Sequence, residues 1–388
     1  MMELEEAGIN LIIGVDEQWV GNGGMKAMLD RAEDHGISVI ANLRGWDGET
    51  VPEYADHPAL KGFLMFDEPS ATDFETLAAL KAKFDELMPE DLVFYINLFP
   101  QTCSYESLFG DNYSANAVDY EKNYVDVYLE TVEPEQLGFD YYPLMENDRI
   151  KPTYFRNFDI LTHKAQENEL PMEATILSAG HNTTDGAYVT PTAEQLRWQI
   201  AVALAYGVDG VNHYVYTSHE EDYTTMVEFD TLETTELYDS VKTVNNEFVG
   251  WDDIYLSYNW LGTAKVDVDE ENLMLKSLTY DIPLDQYGNI KSVDSDQDLL
   301  VGVFENADNQ SAYMITNAGN SEAIKGIDYL ADFSIEDATV TVQLDSGNYK
   351  CVAVIMDGII SYVAVDANNT FTLNLGANEG AFVIPMAK

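Results

Sequence analysis

Basic residues are scarce in this sequence. Its 388 residues include 19 Lys and Arg against 69 Asp and Glu, which gives a formal net charge of −50. The five arginines all precede residue 198, so sequence neighbours cannot form a basic patch. Because nucleic acids and anionic membrane surfaces are bound through clustered Lys and Arg, we expect neither as a partner.

Cysteine, long apolar runs and nucleotide-binding motifs are also scarce or absent. Cys103 and Cys351 are too far apart in sequence to predict a disulfide framework or a CxxC metal site. The apolar runs are much shorter than the about 18 residues of a membrane-spanning helix. No GxGxxG or GxxxxGK[ST] follows a predicted strand, and the histidines lack metal-ligand spacing. We therefore expect no membrane insertion, no cofactor and no metal.

Apolar residues are nevertheless abundant enough for packed cores. Hydrophobic residues make up 46% of the chain and aromatic residues 12%, which excludes a disordered protein. The length predicts one large domain and one smaller domain. We expect a monomer or a weak oligomer.

The first part of the chain alternates between β-branched apolar runs and helical segments. Such alternation, repeated about every 33 residues, favours a (β/α)8 TIM barrel over residues 1–250. A helix that ends at Ala7-Gly8 comes before the first run, so the first barrel strand is expected to lie outside this sequence, unless the barrel closes with seven strands. The seven predicted strands are Ile9–Val15, Ser38–Leu43, Lys61–Phe66, Leu92–Phe99, Gln136–Pro143, Met172–Ala179 and Val208–Tyr216.

The sequence pattern changes after residue 250. Short alternating strands are separated by turns rich in Asp, Asn and Gly, such as Asp345-Ser346-Gly347. Residues 251–388 are therefore predicted to form an antiparallel β-sandwich domain.

The alternation of side chains along the predicted strands indicates which polar residues face the barrel lumen. Barrel strands alternate between helix-facing and lumen-facing positions, and active sites lie at the C-terminal ends of the strands. In the first run the odd-numbered residues, such as Leu11 and Ile13, are expected to face the helices. The even-numbered Asp16 is then expected to face inward. In the third run the odd-numbered and the even-numbered residues are equally apolar, so alternation does not show which set faces the lumen. At least one of the adjacent acids Asp67 and Glu68 is expected to face it.

Applied to every run, this alternation predicts a barrel mouth of carboxylates, amides and phenols. Such groups form bidentate hydrogen bonds with the vicinal hydroxyls of a carbohydrate, and Trp46, in a loop, offers a face for a sugar ring. His213 is expected to pack against helices, and His181 is either a packed histidine or a substrate contact. The predicted mouth residues are Asp16, Asn42, Arg44, Asp67 or Glu68, Asn97, Asp140, Tyr142, Asn212 and Tyr214.

Three short segments resemble glycoside hydrolases that have a TIM-barrel catalytic domain and a C-terminal β-sandwich. They are Gly62-Phe63-Leu64-Met65-Phe66-Asp67-Glu68-Pro69, Tyr95-Ile96-Asn97-Leu98-Phe99-Pro100 and Phe139-Asp140-Tyr141-Tyr142-Pro143. The resemblance is to secreted glycosidases of gut bacteria that are distantly similar to the β-galactosidase type. It implies a carbohydrate substrate and an extracellular or cell-surface location.

In that family the fourth strand ends in Asn-Glu, with the Glu as general acid/base, and the seventh strand supplies a nucleophilic Glu. Glu68 matches the first position, whereas Asp67 replaces the Asn and the seventh strand ends without a carboxylate. We therefore assign catalysis to Glu68, Asp140 and Asp67, with Asp140 as the second carboxylate. Substrate binding is assigned to Asp16, Arg44, Trp46, Asn97, Tyr142, His181, Asn212 and Tyr214.

Other interpretations fit the same residues. Asp67 and Glu68 could cap the following helix, and Asp140 could be a structural acid paired with Arg44 or Arg149. Trp46 could anchor a domain interface. At the level of the whole protein, the alternatives are a non-catalytic carbohydrate-binding or surface-structural protein and, less well supported by the few histidines, a metal-dependent hydrolase.

Overall fold

A computed structural model describes residues 1–21, 23–111, 118–183, 186–268 and 270–387. The chain forms two compact units: residues 1–140 together with 164–173, and residues 141–163 together with 174–388. In the described ranges, no helix combines the length and the apolar character needed to cross a membrane. The domain boundary at residue 250 stays a prediction.

Helices and strands alternate in the first part of the chain, and strands dominate the last part. The helices are α1 (Met2–Glu6), α2 (Gly24–Asp34), α3 (Phe74–Leu87), α4 (Tyr105–Phe109), α5 (Asp126–Val132), α6 (Tyr154–Glu167), α7 (Ala193–Ala205), α8 (Glu236–Val249), α9 (Asp252–Tyr255) and α10 (Leu273–Lys276). The strands up to residue 214 are β1 (Leu11–Val15), β2 (Ser38–Asn42), β3 (Leu60–Asp67), β4 (Val93–Leu98), β5 (Leu137–Asp140), β6 (Leu144–Met145), β7 (Arg149–Ile150), β8 (Met172–Leu177), β9 (His181–Thr183), β10 (Gly186–Tyr188) and β11 (Gly210–Tyr214). The later strands are β12 (Tyr258–Val266), β13 (Ile290–Ser295), β14 (Leu299–Asn306), β15 (Ser311–Asn317), β16 (Asn320–Ile324), β17 (Ile327–Ser334), β18 (Ala338–Leu344), β19 (Tyr349–Met356), β20 (Ile359–Ala364), β21 (Thr370–Leu375) and β22 (Gly380–Ala387).

The first unit contains five parallel strands that are hydrogen-bonded in the order β1-β2-β3-β4-β5. Helix α1 ends before Gly8, which has a φ of +68°, and the Ile9 N–H donates back to the Leu4 carbonyl at 2.9 Å. The structure confirms the predicted helix end at Ala7-Gly8 and the strand that follows it.

The two faces of this sheet have different neighbours. On one face, Phe84 from α3 contacts Phe63 and Phe94 with ring centroids 6.2 and 5.3 Å apart, respectively. On the other face, Ile40, Leu64 and Tyr95 form a cluster against which Leu11 and Ile13 pack. The prediction that Leu11 and Ile13 face the helices is therefore wrong. The register between β1 and β2 shifts at Gly14, and this β-bulge reverses the alternation.

In the second unit, strands β8 and β11 follow the same βα pattern. The Tyr141 N–H donates to the Thr175 carbonyl at 3.2 Å, and the Ser178 N–H donates to the Tyr214 carbonyl at 2.7 Å. His213 of β11 lies 2.7 Å from Ser178 Oγ and 2.9 Å from Asn245 Oδ1 on α8, and burial lowers its pKa to about 4. The prediction that His213 is a packed, helix-facing residue is confirmed.

The rest of the second unit is antiparallel. The sheets β12-β14-β15-β22-β19-β20 and β13-β18-β21 share one hydrophobic core, which includes Val301, Val342 and Val383. A third sheet, β16-β17-β7-β6-β10-β9, is built largely from short hairpins. The structure confirms an α/β part with parallel strands and a later part of antiparallel sheets. Closure into a (β/α)8 barrel stays a prediction.

Candidate active site

The C-terminal ends of β1 to β5 bring together polar residues of the first unit. The bulge at Gly14, whose φ is +80°, places Val15 beside Ala41 on the helix side. Asp16 therefore turns to the opposite face, where Asn42 Nδ2 donates to its Oδ2 atom at 3.3 Å. The predicted inward direction of Asp16 is correct, although the bulge and not an unbroken alternation produces it.

A second β-bulge, in β3, determines which side chains of that strand face the same way as Asn97. The register between β3 and β4 shifts around Met65, after which Asp67 is paired with Asn97. Residues paired across parallel strands point to the same face of the sheet. Asn97 is in turn paired with Gly138 of β5, two residues before Asp140, so Asp67, Asn97 and Asp140 share one face.

The side-chain amide of Asn97 joins two of these carboxylates. Its Nδ2 atom donates to Asp67 Oδ1 at 3.3 Å and to Asp140 Oδ1 at 2.8 Å. Two oxygens at these distances from one nitrogen are at most about 6 Å apart. Asp140 is buried, whereas Asp67 is exposed and lies 3.5 Å from Arg44 Nη1. Arg44 thus pairs with Asp67, and Asn97 is a partner of Asp140.

Glu68 follows β3 in an unusual backbone conformation. Its φ is +56°, in the left-handed region, and its N–H donates to the Asn97 carbonyl at 2.8 Å. Burial raises the pKa of the Glu68 carboxyl to about 8, and the negative charges of Asp140 and Asp67 add to the effect. At neutral pH this carboxyl group is therefore mostly protonated.

Helix capping does not account for Asp67 and Glu68. The turn at Ala71–Asp73 begins at Ser70, whose Oγ accepts from the Thr72 N–H at 3.3 Å. The Asp73 carboxylate accepts in return from the Ser70 N–H at 2.9 Å, which completes a capping box. Ser70 and Asp73 satisfy the start of this turn without either preceding acid.

A cleft of about 480 Å³ lies at the ends of β1 and β2. Trp46 is one of its walls, and two contacts hold its indole in place: Nε1 donates to the Thr50 carbonyl at 2.7 Å, and the ring meets Phe84 edge-to-face. The orientation of a half-buried tryptophan fixed in this way is set before any ligand binds. The cleft is lined by Asp16, Glu17, Asn42, Leu43, Arg44, Gly45 and Trp46.

The other predicted binding residues belong to the second unit, where three of them form one aromatic cluster. Tyr142 stacks on Tyr214 with centroids 5.2 Å apart and meets His181 edge-on at 6.1 Å. Sequence reasoning missed two further members, Tyr188 and Tyr223, which lie 4.8 and 4.6 Å from the His181 ring. Both come from short hairpins or loops without a motif, so alternation along long strands could not find them.

His181 and Asn212 are less well defined as binding residues. His181 is buried, its Nδ1 lies 2.9 Å from the Ala179 carbonyl, and burial lowers its pKa. Because a carbonyl oxygen can only accept a hydrogen bond, Nδ1 carries the proton. The lowered pKa keeps the ring neutral at pH 7. Asn212 is half-buried on β11. The binding roles of His181, Asn212, Tyr142 and Tyr214 stay predictions.

Gly138 is required for the packing beneath the carboxylates. A Cβ atom at this position would lie 2.6 Å from Tyr95 Oη and 2.9 Å from Tyr95 Cζ, and Tyr95 is fully buried. We expect Gly138→Ala to lower the free energy of unfolding by about 1–3 kcal/mol, as overpacking does in other cores. Urea denaturation measures the loss. The double variant Gly138→Ala/Tyr95→Phe removes the nearer atom and should recover part of it; no recovery would contradict this explanation.

Neither a protein-family model nor a curated protein matches the chain. Similar solved structures include the GH51 arabinofuranosidase from Xanthomonas axonopodis pv. citri, at 11% identity over 99% of this chain and 89% of that chain, with a TM-score of 0.48. The GH99 endo-α-mannosidase from Bacteroides thetaiotaomicron is 12% identical over 66% of this chain and 78% of that chain, with a TM-score of 0.43.

A third similar structure is the β-galactosidase from the psychrophilic Marinomonas ef1, at 12% identity and a TM-score of 0.40. The match covers 66% of this chain and 58% of that chain, so this chain spans less than two thirds of the β-galactosidase. All three proteins are glycoside hydrolases by name. All three TM-scores are below 0.5, so these similarities do not establish a function for this protein.

Proposed function

We propose that this protein is a glycoside hydrolase in which Glu68 is the general acid/base and Asp140 is the second carboxylate. The observation that carries the proposal is the arrangement of three carboxyl groups around the end of β4. Asn97 donates hydrogen bonds to two of them, and the third, Glu68, holds its proton near neutral pH. Glycosidic bond cleavage needs such a pair of one protonated and one ionised carboxyl group.

Burial is the main reason why the proton resides on Glu68. The negative charges of Asp140 and Asp67 also oppose ionisation of the half-buried Glu68. The raised pKa lets Glu68 keep a proton near neutral pH, as a general acid requires.

In the first step, the Glu68 carboxyl donates its proton to the glycosidic oxygen while the bond from that oxygen to the anomeric carbon breaks. Asp140 either attacks the anomeric carbon or removes a proton from an attacking water molecule. A carboxyl separation of about 5–5.5 Å corresponds to the first route and about 6.5–9.5 Å to the second. Asp67 contributes its negative charge, which keeps the proton on Glu68.

The cleft residues suit a neutral carbohydrate. Asp16, Asn42 and Arg44 supply acceptors and donors for hydroxyl groups, and Trp46 supplies an apolar face. Asn97 Oδ1 is buried and has no hydrogen-bond partner among the described residues. The extracellular location is proposed together with this function and rests on the sequence resemblance.

A substrate panel tests the proposal. Aryl glycosides and plant polysaccharides are incubated with wild type, Asp140→Asn and Glu90→Gln, the last an exposed acid in the turn before β4. We expect Asp140→Asn to lower turnover by at least about 10²-fold and Glu90→Gln to leave it unchanged. NMR of the first-formed anomer then distinguishes the two routes. Oligosaccharide binding without any bond cleavage would contradict the proposal and favour a binding protein.

A further inference from the structure

Tyr124 lies on an irregular turn near the proposed acid. The residues before α5 form a π-helical turn, Glu121–Val125, a rare conformation that is often found at functional sites. The Tyr124 side chain is fully buried. Its ring contacts Phe74 at 5.3 Å and stacks on Tyr120 at 5.5 Å, measured between centroids. The ring of Tyr124 is therefore held by packing in the core.

The Tyr124 hydroxyl joins the two segments that leave β3 and β4. It donates to the Pro69 carbonyl at 2.7 Å and accepts from the Phe99 N–H at 3.2 Å. Pro69 directly follows Glu68, so its carbonyl belongs to the backbone that sets the direction of the Glu68 side chain. On the other side, the Glu68 N–H donates to Asn97 O. Hydrogen bonds therefore hold the backbone on both sides of Glu68.

These bonds oppose a local strain. A non-glycine residue with a φ of +56° has a strained backbone, which persists only where its surroundings enforce it. We propose that Tyr124 is a positioning residue for Glu68: through Pro69, its hydroxyl holds Glu68 in the left-handed conformation that keeps its carboxyl beside Asp140 and Asp67. The catalytic part of this inference rests on the proposed function.

Loss of the hydroxyl would release this backbone without emptying the core. In Tyr124→Phe the ring contacts remain, but the buried Pro69 carbonyl and Phe99 N–H lose their partner. Glu68 is then free to relax to an ordinary φ, and its carboxyl moves toward water and away from the two aspartates. Burial and the aspartate charges raise its pKa, so relaxation lowers the pKa.

Carboxyl ¹³C NMR of glutamate-labelled protein measures this directly, and Glu68→Gln identifies the signal. We expect Tyr124→Phe to lower the titration midpoint of Glu68 by about one pH unit or more. On a cleaved glycoside, kcat should fall about 10-fold or more with KM near its wild-type value, and the alkaline limb of the pH profile should move with the NMR midpoint.

Tyr120→Phe is the matched control. The Tyr120 hydroxyl donates to the Phe99 carbonyl at 2.7 Å, and Tyr120 immediately precedes the same turn. Its loss removes one partly buried hydrogen bond but leaves the bond to Pro69 intact, so the Glu68 midpoint should stay at the wild-type value. A Tyr124→Phe variant that titrates like wild type, whatever its melting temperature, or an equal shift in both variants, would overturn the proposal. If no glycoside is cleaved but the midpoint moves only in Tyr124→Phe, the positioning role stands and the proposed function fails.

Discussion

Glu68→Gln is expected to lower kcat on a glycoside with a poor leaving group by about 10²–10⁴-fold, the usual contribution of a general acid. Glutamine has nearly the same shape as protonated glutamic acid, and it can donate a hydrogen bond but cannot transfer a proton. Substrate binding should therefore persist while the proton-transfer step is lost. Steady-state kinetics of wild type and variant measure the effect.

A leaving-group series makes this test specific. Phenols of low pKa leave without protonation. The rate of the first step in Glu68→Gln should therefore be much closer to the wild-type rate on an activated aryl glycoside than on an alkyl glycoside. Glu90→Gln, which changes the same residue type at the opposite end of β4, should show no dependence on the leaving group. A uniform loss across the series would mean that Glu68 is not the acid.

Glu68→Gln is also expected to stabilise the protein, with an effect that grows with pH. The folded-state pKa of Glu68 is about 8, against 4.5 for an unperturbed glutamate. Between these values the unfolded chain releases the proton while the folded chain retains it, so the wild-type free energy of unfolding falls as pH rises. At 1.36 kcal/mol per pH unit, the cost in wild type reaches up to about 3 kcal/mol at pH 7.

Melting temperatures measured from pH 4 to pH 9 test this sign. The curves of wild type and Glu68→Gln should coincide near pH 4, separate as pH rises with the variant melting higher, and run parallel above about pH 8. Glu90→Gln should follow wild type throughout. A variant that melts lower than wild type at pH 7 would show that the Glu68 carboxyl is ionised and favourably paired in the folded protein.

Strand positions were predictable because apolar β-branched runs are a local signal. The run Ser38–Leu43 corresponds to β2, Ser38–Asn42, and the run Leu92–Phe99 corresponds to β4, Val93–Leu98. Strand ends in turn indicated the polar residues that follow them. For this reason Asn97 and Asp140, which share a hydrogen bond, could be predicted to lie together.

Side-chain direction was less predictable, because it depends on register. A β-bulge adds one residue and turns every later side chain to the other face. The sequence Ile13-Gly14-Val15 carries no unambiguous sign of a bulge, so Leu11 and Ile13 were placed on the wrong side. The bulge near Met65 explains why the odd-numbered and the even-numbered residues of β3 looked equally apolar.

The hydrogen bonds between the site residues could not be predicted, because each joins side chains that are far apart in the sequence. The hydrogen bonds of Asn97 to two carboxylates join residues 43 positions apart in one case and 30 in the other. Strands β6, β7, β9 and β10 have two or three residues each, too few to show a period. Tyr188 therefore gave no signal in the sequence.

The bulge at Gly14 also bears on how this sequence can diverge. The direction of Asp16 is set by the number of residues in β1, so losing one codon at the bulge would turn the acid toward the helices while every remaining residue type stayed the same. Point changes at Leu11 or Ile13 would leave that direction intact. Distant descendants should accordingly tolerate substitution along β1 far better than a change in its length.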